Sequence, residues 1–527
     1  MLLYSIILLF STVIAVFYHC HIYPVYTTPF RSLPTPEASH RNHLRTLCNH
    51  SRPVRLIGEE LPRLCTAFPD SQIVRYYSFF SVEMILVLGP EAISELCLEN
   101  SGSFSHSANI RLLAEAGLGH AGLLAARGET HKRLRQLFAP VFSTRTLAML
   151  GDPLWKGCQA MVQDIGSHRP ELTANIAQWA SYSVLELSGL SVFGQDRGWL
   201  SRYPHLARSL ERRVATGHIR KIVLAIFPRA IRSLLMLTLF GRQELADLKR
   251  IEDVARDLAR IEKQKQVELR KSNKQSQNSS DECESPPLNV ISAMFQDACS
   301  NLSEEEIIGH ILIFLVGASE TTSASFQWII LELCRHPEVQ TRLREEVQLH
   351  WHSLTSAKAT KPSPLFSQIK SLSYLRAVVD EVLRLHPAVV LTEHEATQQT
   401  TIAGILIPKG TLLLCPPLAA NLNPRVWGDD ARAFNPERFL PANLNQKGES
   451  SRFRCANMTF SHGPRSCPGQ SVARLMLTCL TAVFVHSWKV SLDDPRQSYV
   501  PTEAVYARPM PDLMVRLSKV LEESNVT

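Results

Sequence analysis

Residues 1–30 hold no lysine, arginine, aspartate or glutamate, and Met1 to Tyr18 is nearly continuous apolar sequence. A helix needs about 20 such residues to cross a bilayer. The basic leader and small-residue cleavage site of a removable signal peptide are missing, so the pattern predicts an uncleaved transmembrane signal anchor over 1–23. The first basic residues, Arg31, Arg41 and Arg45, follow the span, and the positive-inside rule then puts the body in the cytosol. The sequons at Asn49, Asn278, Asn301 and Asn457 would face away from the glycosylation machinery. Pro24, Pro29, Pro34 and Pro36 mark 24–45 as a semi-rigid hinge. Ile73 to Leu88, rich in valine, isoleucine and tyrosine, predicts a strand pair, broken by Gly89-Pro90 ahead of a helix from Glu91.

Helical periodicity then dominates to about residue 385, with no internal repeat. Lys221 to Gly241 is apolar but interrupted by Pro228, Arg229 and Arg232; it fits either a helix pair dipping into a membrane surface or plain core. Residues 263–287, polar and ending in Pro286-Pro287, predict a low-complexity loop. The longest helix should run from Leu302 to Arg335, opened by the capping box Ser303-x-x-Glu306. Its first half, Ile307 to Val316, is apolar almost all round, which places it in an interior.

Composition narrows the classes. The 527 residues are 45% hydrophobic and 20% charged, enough for a large core. The net charge of +7 is spread along the chain, which speaks against a dedicated nucleic-acid binder. Twelve cysteines form no Cys-x-x-Cys pair, excluding a zinc ribbon and a disulfide-stapled mini-domain.

One cysteine differs in its setting. Cys467 lies in Phe460-Ser-His-Gly463-Pro-Arg465-Ser-Cys467-Pro-Gly469, between a turn-rich segment and a helical run from Ser471 to Leu480. The orphan N–H groups of a helix start stabilise a thiolate, and Arg465 adds positive charge. On that setting alone Cys467 fits a nucleophile, a redox sensor or a metal ligand. Within the long helix, Gly317-Ala318-Ser319-Glu320-Thr321-Thr322 sets a carboxylate and a hydroxyl in an apolar stretch. A buried threonine ordinarily bonds back to the preceding turn. An unpaired buried carboxylate costs several kcal/mol and asks for another explanation.

The string F-x-x-G-x-R-x-C-x-G resembles the haem-binding loop of the cytochrome P450 superfamily at all its fixed positions. The resemblance implies a mainly α fold with a small β region (α+β): one large haem domain over 46–527 behind the anchor. It further implies haem b (iron protoporphyrin IX), with Cys467 as axial ligand of the iron. Arg465 would pair with a propionate, Phe460 would pack beside the sulfur, and Gly463 and Gly469 would permit close backbone approach. Glu320 and Thr321 match the family's acid-threonine pair; Thr321 would steady dioxygen and Glu320 take part in proton delivery. Ala318 stands where glycine is usual. His131 and Arg135, four residues apart after Gly128, resemble the propionate-binding helix, while Lys132 and Arg133 fit a solvated basic face.

Glu381-Val-Leu-Arg384 and Pro436-Glu-Arg438-Phe439 match the family's Glu-Arg-Arg network, a structural role for Glu381, Arg384 and Arg438. His394 stands where arginine is common, a weaker and pH-sensitive propionate partner. Lys132, Arg133, Arg452 and Arg454 would dock an acidic reductase. A substrate pocket would draw on Phe104 to Leu124, the long helix, Val389 to Leu391 and Ala504 to Tyr506.

The phrasing around Ile402 to Thr411 and Ser461 to Gln470 looks most like filamentous-fungal members of natural-product pathways. The implied activity is a monooxygenase of the endoplasmic reticulum membrane. It would insert one atom of O₂ into a lipophilic small molecule, such as a terpenoid or polyketide, with electrons from NADPH through cytochrome P450 reductase. A reductase-independent haem-thiolate isomerase or dehydratase would not need Glu320 and Thr321. A non-catalytic membrane haem protein would need neither these nor a basic docking face. A thiol enzyme built on Cys467 would need a base that the local sequence does not supply.

Overall fold

The apolar alternation at Ile73–Tyr77 (β1) and Glu83–Val87 (β2) closes into an antiparallel pair in register Ile73 with Val87, buried on both faces. A computed structural model describes residues 10–11, 14, 18, 27–36, 61–77, 83–111, 114, 122–166, 171–215, 241–275, 288–295, 302–356, 364–444, 455–502 and 506–520. The chain forms two compact units from interleaved segments. The first takes Met1–Ala108, Val390–Ala433 and Glu449–Ser466, and the second Asn109–Val389, Phe434–Gly448 and Cys467–Thr527.

In the first unit β1 and β2 continue into a five-stranded sheet with Phe104–His106 (β3), Thr392–Ala396 (β4) and Leu412–Cys415 (β7), in the order β1-β2-β7-β4-β3. Only the β2–β7 pairing is parallel. Thr400–Ile402 (β5) and Ile405–Ile407 (β6) form a separate hairpin. Ile85, Ile93, Leu96, Ile402, Leu413 and Cys415 fill the core beneath it. Residues 28–35, expected as part of a hinge, are packed instead: Phe30 enters that core, Thr28 bonds the Glu83 carboxylate at 2.7 and 2.8 Å, and the Arg75 N–H donates to Pro34 O. A phenyl ring and a hydroxyl with partners dock a segment that its prolines alone would leave free.

The second unit is helical. The elements that matter for function are Gly128–Phe138 (α1), Leu206–Ala215 (α2), Gly241–Gln275 (α3), Glu304–Arg335 (α4), Ser373–Leu385 (α5) and Gln470–Ser487 (α6). At 32 residues α4 is roughly 48 Å long. Both halves of its capping box form: Glu306 N–H donates to Ser303 Oγ at 3.2 Å, and Ser303 N–H to Glu306 Oε2 at 2.8 Å. Among the described residues α4 is also the one helix long and apolar enough to cross a membrane, but it is largely buried, as a core helix would be. It packs against the helix Ile176–Val192. A three-stranded sheet of Glu171–Asn175, Met514–Lys519 and Trp488–Leu492 flanks these helices.

The loop expected at 263–287 is corrected over its first half, where α3 continues to Gln275. Lysine, glutamine and glutamate are straight-chain helix formers, and Gln266 bonds Glu262 one turn back at 2.7 Å. The strands at 104–106 and 171–175 interrupt the expected helical run; each is short and paired to a distant strand, which local periodicity does not register. Most of the anchor, residues 221–240 and 276–287, Arg452, Arg454, Ala504 and the sequons at Asn49, Asn278 and Asn301 lie outside the described residues.

Two charge clusters tie α3 to its neighbours. Asp247, almost fully buried, accepts from Ser209 at 2.9 Å and from Arg212 at 2.7 and 2.8 Å on α2, and from Arg250 at 2.9 Å. Arg256 meets Glu252 at 2.6 Å, and Glu305 and Glu304 at the start of α4 at 3.0 and 3.7 Å, in a solvent-exposed setting. The Arg212 bonds hold Asp247 below the usual carboxylate range. Its contribution is therefore complete above the unfolded value of about 4 and is lost as pH falls through the lower folded value. Asp247→Asn should cost on the order of 3 kcal/mol at neutral pH. Hydrogen exchange should show faster amides in 206–212 with those of α4 unchanged.

Candidate functional site

The start of α6 sets the conditions for Cys467. The backbone N–H groups of Gly469 and Gln470 point at its sulfur, and Arg135 on α1 adds a cation. Protein around the sulfur pushes the thiol above its ordinary value by desolvation, and the two amides and Arg135 offset only part of that rise. Cys467 is the exposed cysteine among the described residues; Cys97, Cys158, Cys415, Cys455 and Cys479 are buried, as small apolar side chains are. Burial lowers Arg135, and the nearby sulfur opposes that shift. Arg135 and His131 are half-buried on one side of α1, whereas Lys132 and Arg133 are exposed, as the helical spacing predicted.

In the first unit the segment leading to Arg465 is seated on the turn Glu95–Glu99. Cys97 Sγ is bonded by the Cys415 thiol, the Ser461 hydroxyl and the His462 N–H, and these hold it below an ordinary thiol. Gly463 has φ +72°, and a Cβ there would lie 1.9 Å from the Cys97 carbonyl oxygen, so only glycine fits. Buried Asn421 pins the same segment: its Oδ1 accepts from Met458 N–H at 2.7 Å and its Nδ2 donates to Thr459 at 2.9 Å. Phe460 is half-buried two residues on.

His394 on β4 is buried, stacks on His106 of β3 at 5.6 Å, and shares a hydrogen bond with Thr392 Oγ1 at 3.1 Å. Burial pushes it down to about 3, with His106 and Arg465 adding to the shift. The expectation of a pH-sensitive cation is therefore corrected. The imidazole is neutral at neutral pH, and because the Thr392 hydroxyl donates to Cys415 O at 2.9 Å, the His394 Nε2–H is directed to Thr392 Oγ1; the positive charge is left to Arg465.

Inside the second unit Glu381, Arg384 and Arg438 come together. Glu381 and Arg384 are fully buried and joined by two bonds of 2.7 Å, and Arg438 Nε reaches Glu381 Oε1 at 3.4 Å. The Asn435 N–H adds a donor at 2.9 Å, which the sequence pattern did not show. A buried carboxylate with this many donors is satisfied where an isolated one would be costly.

On α4 the Thr321 hydroxyl donates back to Gly317 O at 2.6 Å, the turn-back bond typical of helical threonine. Its oxygen lone pairs remain available as acceptors. Glu320 is half-buried; desolvation pushes its carboxyl up to about 7, with Arg508 opposing and Glu211 adding to the shift. Neither partner was visible in the sequence, since they lie 109 and 188 positions from Glu320 (by the numbering) and carry no motif.

The donor set fits a haem. A sulfur met by two amide donors and a cation would suit a thiolate ligand to haem iron, since a coordinating thiol is deprotonated outright. Arginine guanidinium groups, as at Arg135 and at Arg465, would suit propionates. Among the described residues no group of three or more histidine, cysteine, aspartate or glutamate side chains is placed to hold a metal ion by itself.

Gly463→Ala should shift the cysteine loop, at a backbone cost of about 1 kcal/mol before the clash with Cys97. Haem content after purification should fall while helical circular dichroism persists. Glu381→Ala strands Arg384 without its partner and should cost about 3–5 kcal/mol, read as a loss of folded protein on thermal denaturation.

The family model of cytochrome P450 matches residues 71–514. The cytochrome P450 monooxygenase sphH of Aspergillus fumigatus is 31% identical over 516 residues, covering 95% of this chain and 91% of that protein. The cytochrome P450 monooxygenase FSL4 of Gibberella zeae is 28% identical over 92% of this chain and 86% of its own. The cytochrome P450 monooxygenase ptmK of Penicillium ochrochloron is 25% identical, with 96% of each chain covered. Proteins of this family bind haem b and work with a redox partner, O₂ and an organic substrate. With a family model matched over residues 71–514 and a relative 31% identical over 95% of its length, this chain belongs to the cytochrome P450 family and is a monooxygenase.

Proposed function

We propose that this protein oxidises a lipophilic small molecule, a fungal secondary metabolite such as a terpenoid or polyketide, at the surface of the endoplasmic reticulum membrane. Electrons come from NADPH through cytochrome P450 reductase. The apolar residues 1–23 anchor it with the catalytic body in the cytosol, an arrangement in keeping with the membrane association common in fungal members of the family. When bound, haem with a thiolate ligand supplies two-electron activation of O₂, one atom entering an unreactive C–H or C=C bond and the other leaving as water.

The residues of this chain supply the ligand, the proton and the shape. Cys467 provides the sulfur, which the Gly469 and Gln470 amides hydrogen-bond and steady. Arg135, Arg465 and His131 bind the propionates. Thr321, its own proton committed to Gly317, accepts a hydrogen bond from a water or hydroxyl beside α4. Glu320, pushed up to about 7, holds a proton at neutral pH and can release it. The single observation that carries this reading over a rearranging isomerase is the pair Glu320–Thr321 on α4, because an isomerase has no use for a proton source beside O₂.

The test starts with the absorption spectrum of the reduced, carbon-monoxide-treated protein. Wild type should show the thiolate-type band and Cys467→Ala should lose it; retention by the variant would refute the ligand assignment. Thr321→Ala should keep consuming NADPH while forming less product and more hydrogen peroxide. In wild type, product formed per NADPH should fall as pH rises through about 7, where Glu320 gives up the proton it must deliver. A flat ratio from pH 6 to 8 would remove Glu320 from that role.

A further inference from the structure

From Ile307 to Leu333 the helix α4 is buried except along one short stretch. Ile313, Gly317, Ala318, Glu320 and Thr321 keep part of their surface open, and a Cβ placed at Gly317 would meet nothing within 4 Å among the described residues. Open space halfway along a core helix is room for a small molecule. Trp328 stands seven residues beyond Thr321, on the same face of α4 and roughly 10 Å further along it.

Two other chain segments meet α4 at this one side chain. The Trp328 indole N–H donates to Ala507 O at 3.0 Å, and the indole lies flat on the His386 imidazole, with ring centroids 4.0 Å apart and planes within 1°. The Ala507 N–H in turn donates to Ala388 O at 2.8 Å, so residue 507 bridges α4 to the segment that follows His386. His386 closes α5, its backbone N–H donating to Val382 O at 2.8 Å. Its Nε2 donates to Glu332 Oε1 at 3.0 Å, one turn beyond Trp328; a carboxylate can only accept, so the proton sits on that nitrogen. Glu332 is held in turn: Arg335 donates to Oε1 at 3.0 Å and His336 Nε2 lies 3.5 Å from Oε2.

The hairpin around residue 507 moves as one piece. Val500–Pro501 pairs with Pro509–Met510, Thr502 N–H donates to Arg508 O at 2.8 Å, and the Thr502 hydroxyl donates to Tyr506 O at 2.9 Å. Pro509–Met510 packs against α4, and the charge of Glu320 reaches Tyr506, which brings this stretch up to the opening. A displacement at Ala507 therefore carries half-buried Tyr506 with it, and one at His386 carries Ala388 and half-buried Val389. We infer that Trp328, His386 and Glu332 are positioning residues that set the room beside Thr321: a single indole pins the 386–389 and 506–508 segments to the helix that carries Thr321, and the size of molecule accepted there follows from that pin. The inference rests on the reading of the Thr321 face of α4 as the reacting side.

The experiment uses the full-length, haem-loaded protein and two readouts. Hydrogen exchange reads the pin itself. Trp328→Phe keeps a ring on His386 and deletes the bond to Ala507 O; amides of 506–508 should exchange about fivefold faster, the worth of one hydrogen bond, with those of 307–321 unchanged. His386→Gln keeps an N–H for Glu332 and deletes the stack; amides of 388–389 should quicken by about the same factor. Absorption titration with two azoles reads the room. Imidazole needs space for one ring at the iron, and 4-phenylimidazole needs space for two. In both variants the ratio of their dissociation constants should move about fivefold in favour of 4-phenylimidazole, with imidazole itself bound as in wild type.

Wild-type exchange in Trp328→Phe overturns the inference, because the indole then holds nothing. Faster exchange with an unchanged azole ratio overturns it as well, since Trp328 and His386 would then serve stability and not the room beside Thr321. If one variant does not assemble a haem site, as its carbon-monoxide spectrum shows, the other decides alone. If neither does, Glu332→Gln, which keeps the shape and removes the charge facing His386, is judged by the same two criteria. The underlying reading fails separately. Wild-type coupling in Thr321→Ala would show that this face of α4 is not the reacting side, while exchange and the azole ratio still decide whether the pin governs the space there.

Discussion

Keeping the sulfur of Cys467 available as an anion inside protein opposes desolvation with a few fixed donors, since burial alone drives a thiol toward its neutral form. Two amides at the start of α6 and the cation of Arg135 are what the second unit supplies. None of the three is a base, so these groups polarise the sulfur without taking its proton. The buried Glu381, Arg384 and Arg438 have no part in that chemistry. They cross-link α5 to the turn Pro436–Phe439, and their worth lies in being satisfied together: the geometry is rigid because any single loss leaves a buried charge behind.

The legible part of the molecule was the part written in local patterns. The capping box and apolar surface of α4 fixed its start within two residues, since both signals act within one turn. The i, i+4 spacing separated half-buried His131 and Arg135 from exposed Lys132 and Arg133. The cysteine loop was readable because glycine at a left-handed position, arginine and cysteine must stand at set distances in the chain. What escaped was long-range. Cys97 beneath Gly463 and Asn421 on Met458 are contacts between residues tens to hundreds of positions apart, with no spacing to betray them. The polar run 263–275 misled for a different reason: low complexity signals a loop only where residues lack helix propensity, and lysine, glutamine and glutamate have it.

The histidine at 394 shows how environment overrides residue type. Imidazole ordinarily titrates near neutrality, but burial on the strand between His106 and Leu413 strips it of water, and His106 and Arg465 make a further positive charge less favourable still. Glu320 is the mirror case, a carboxylate raised toward neutrality by the same loss of water. The protein thus keeps a neutral imidazole where arginine would be charged, and a titrating acid where a surface glutamate would be fully ionised.

The ion pairs described here fall into two classes by their access to water, and dissolved salt distinguishes them. Glu381 and Arg384 expose no side-chain surface, so mobile ions cannot approach and their attraction is indifferent to ionic strength. Arg256, shared among Glu252, Glu304 and Glu305, is open to solvent and is screened within a Debye length of roughly 8 Å at physiological salt. Ionic strength is therefore a selective lever on this fold. It slackens the tie between α3 and the first turn of α4 and leaves the buried cross-link of α5 as tight in brine as in dilute buffer.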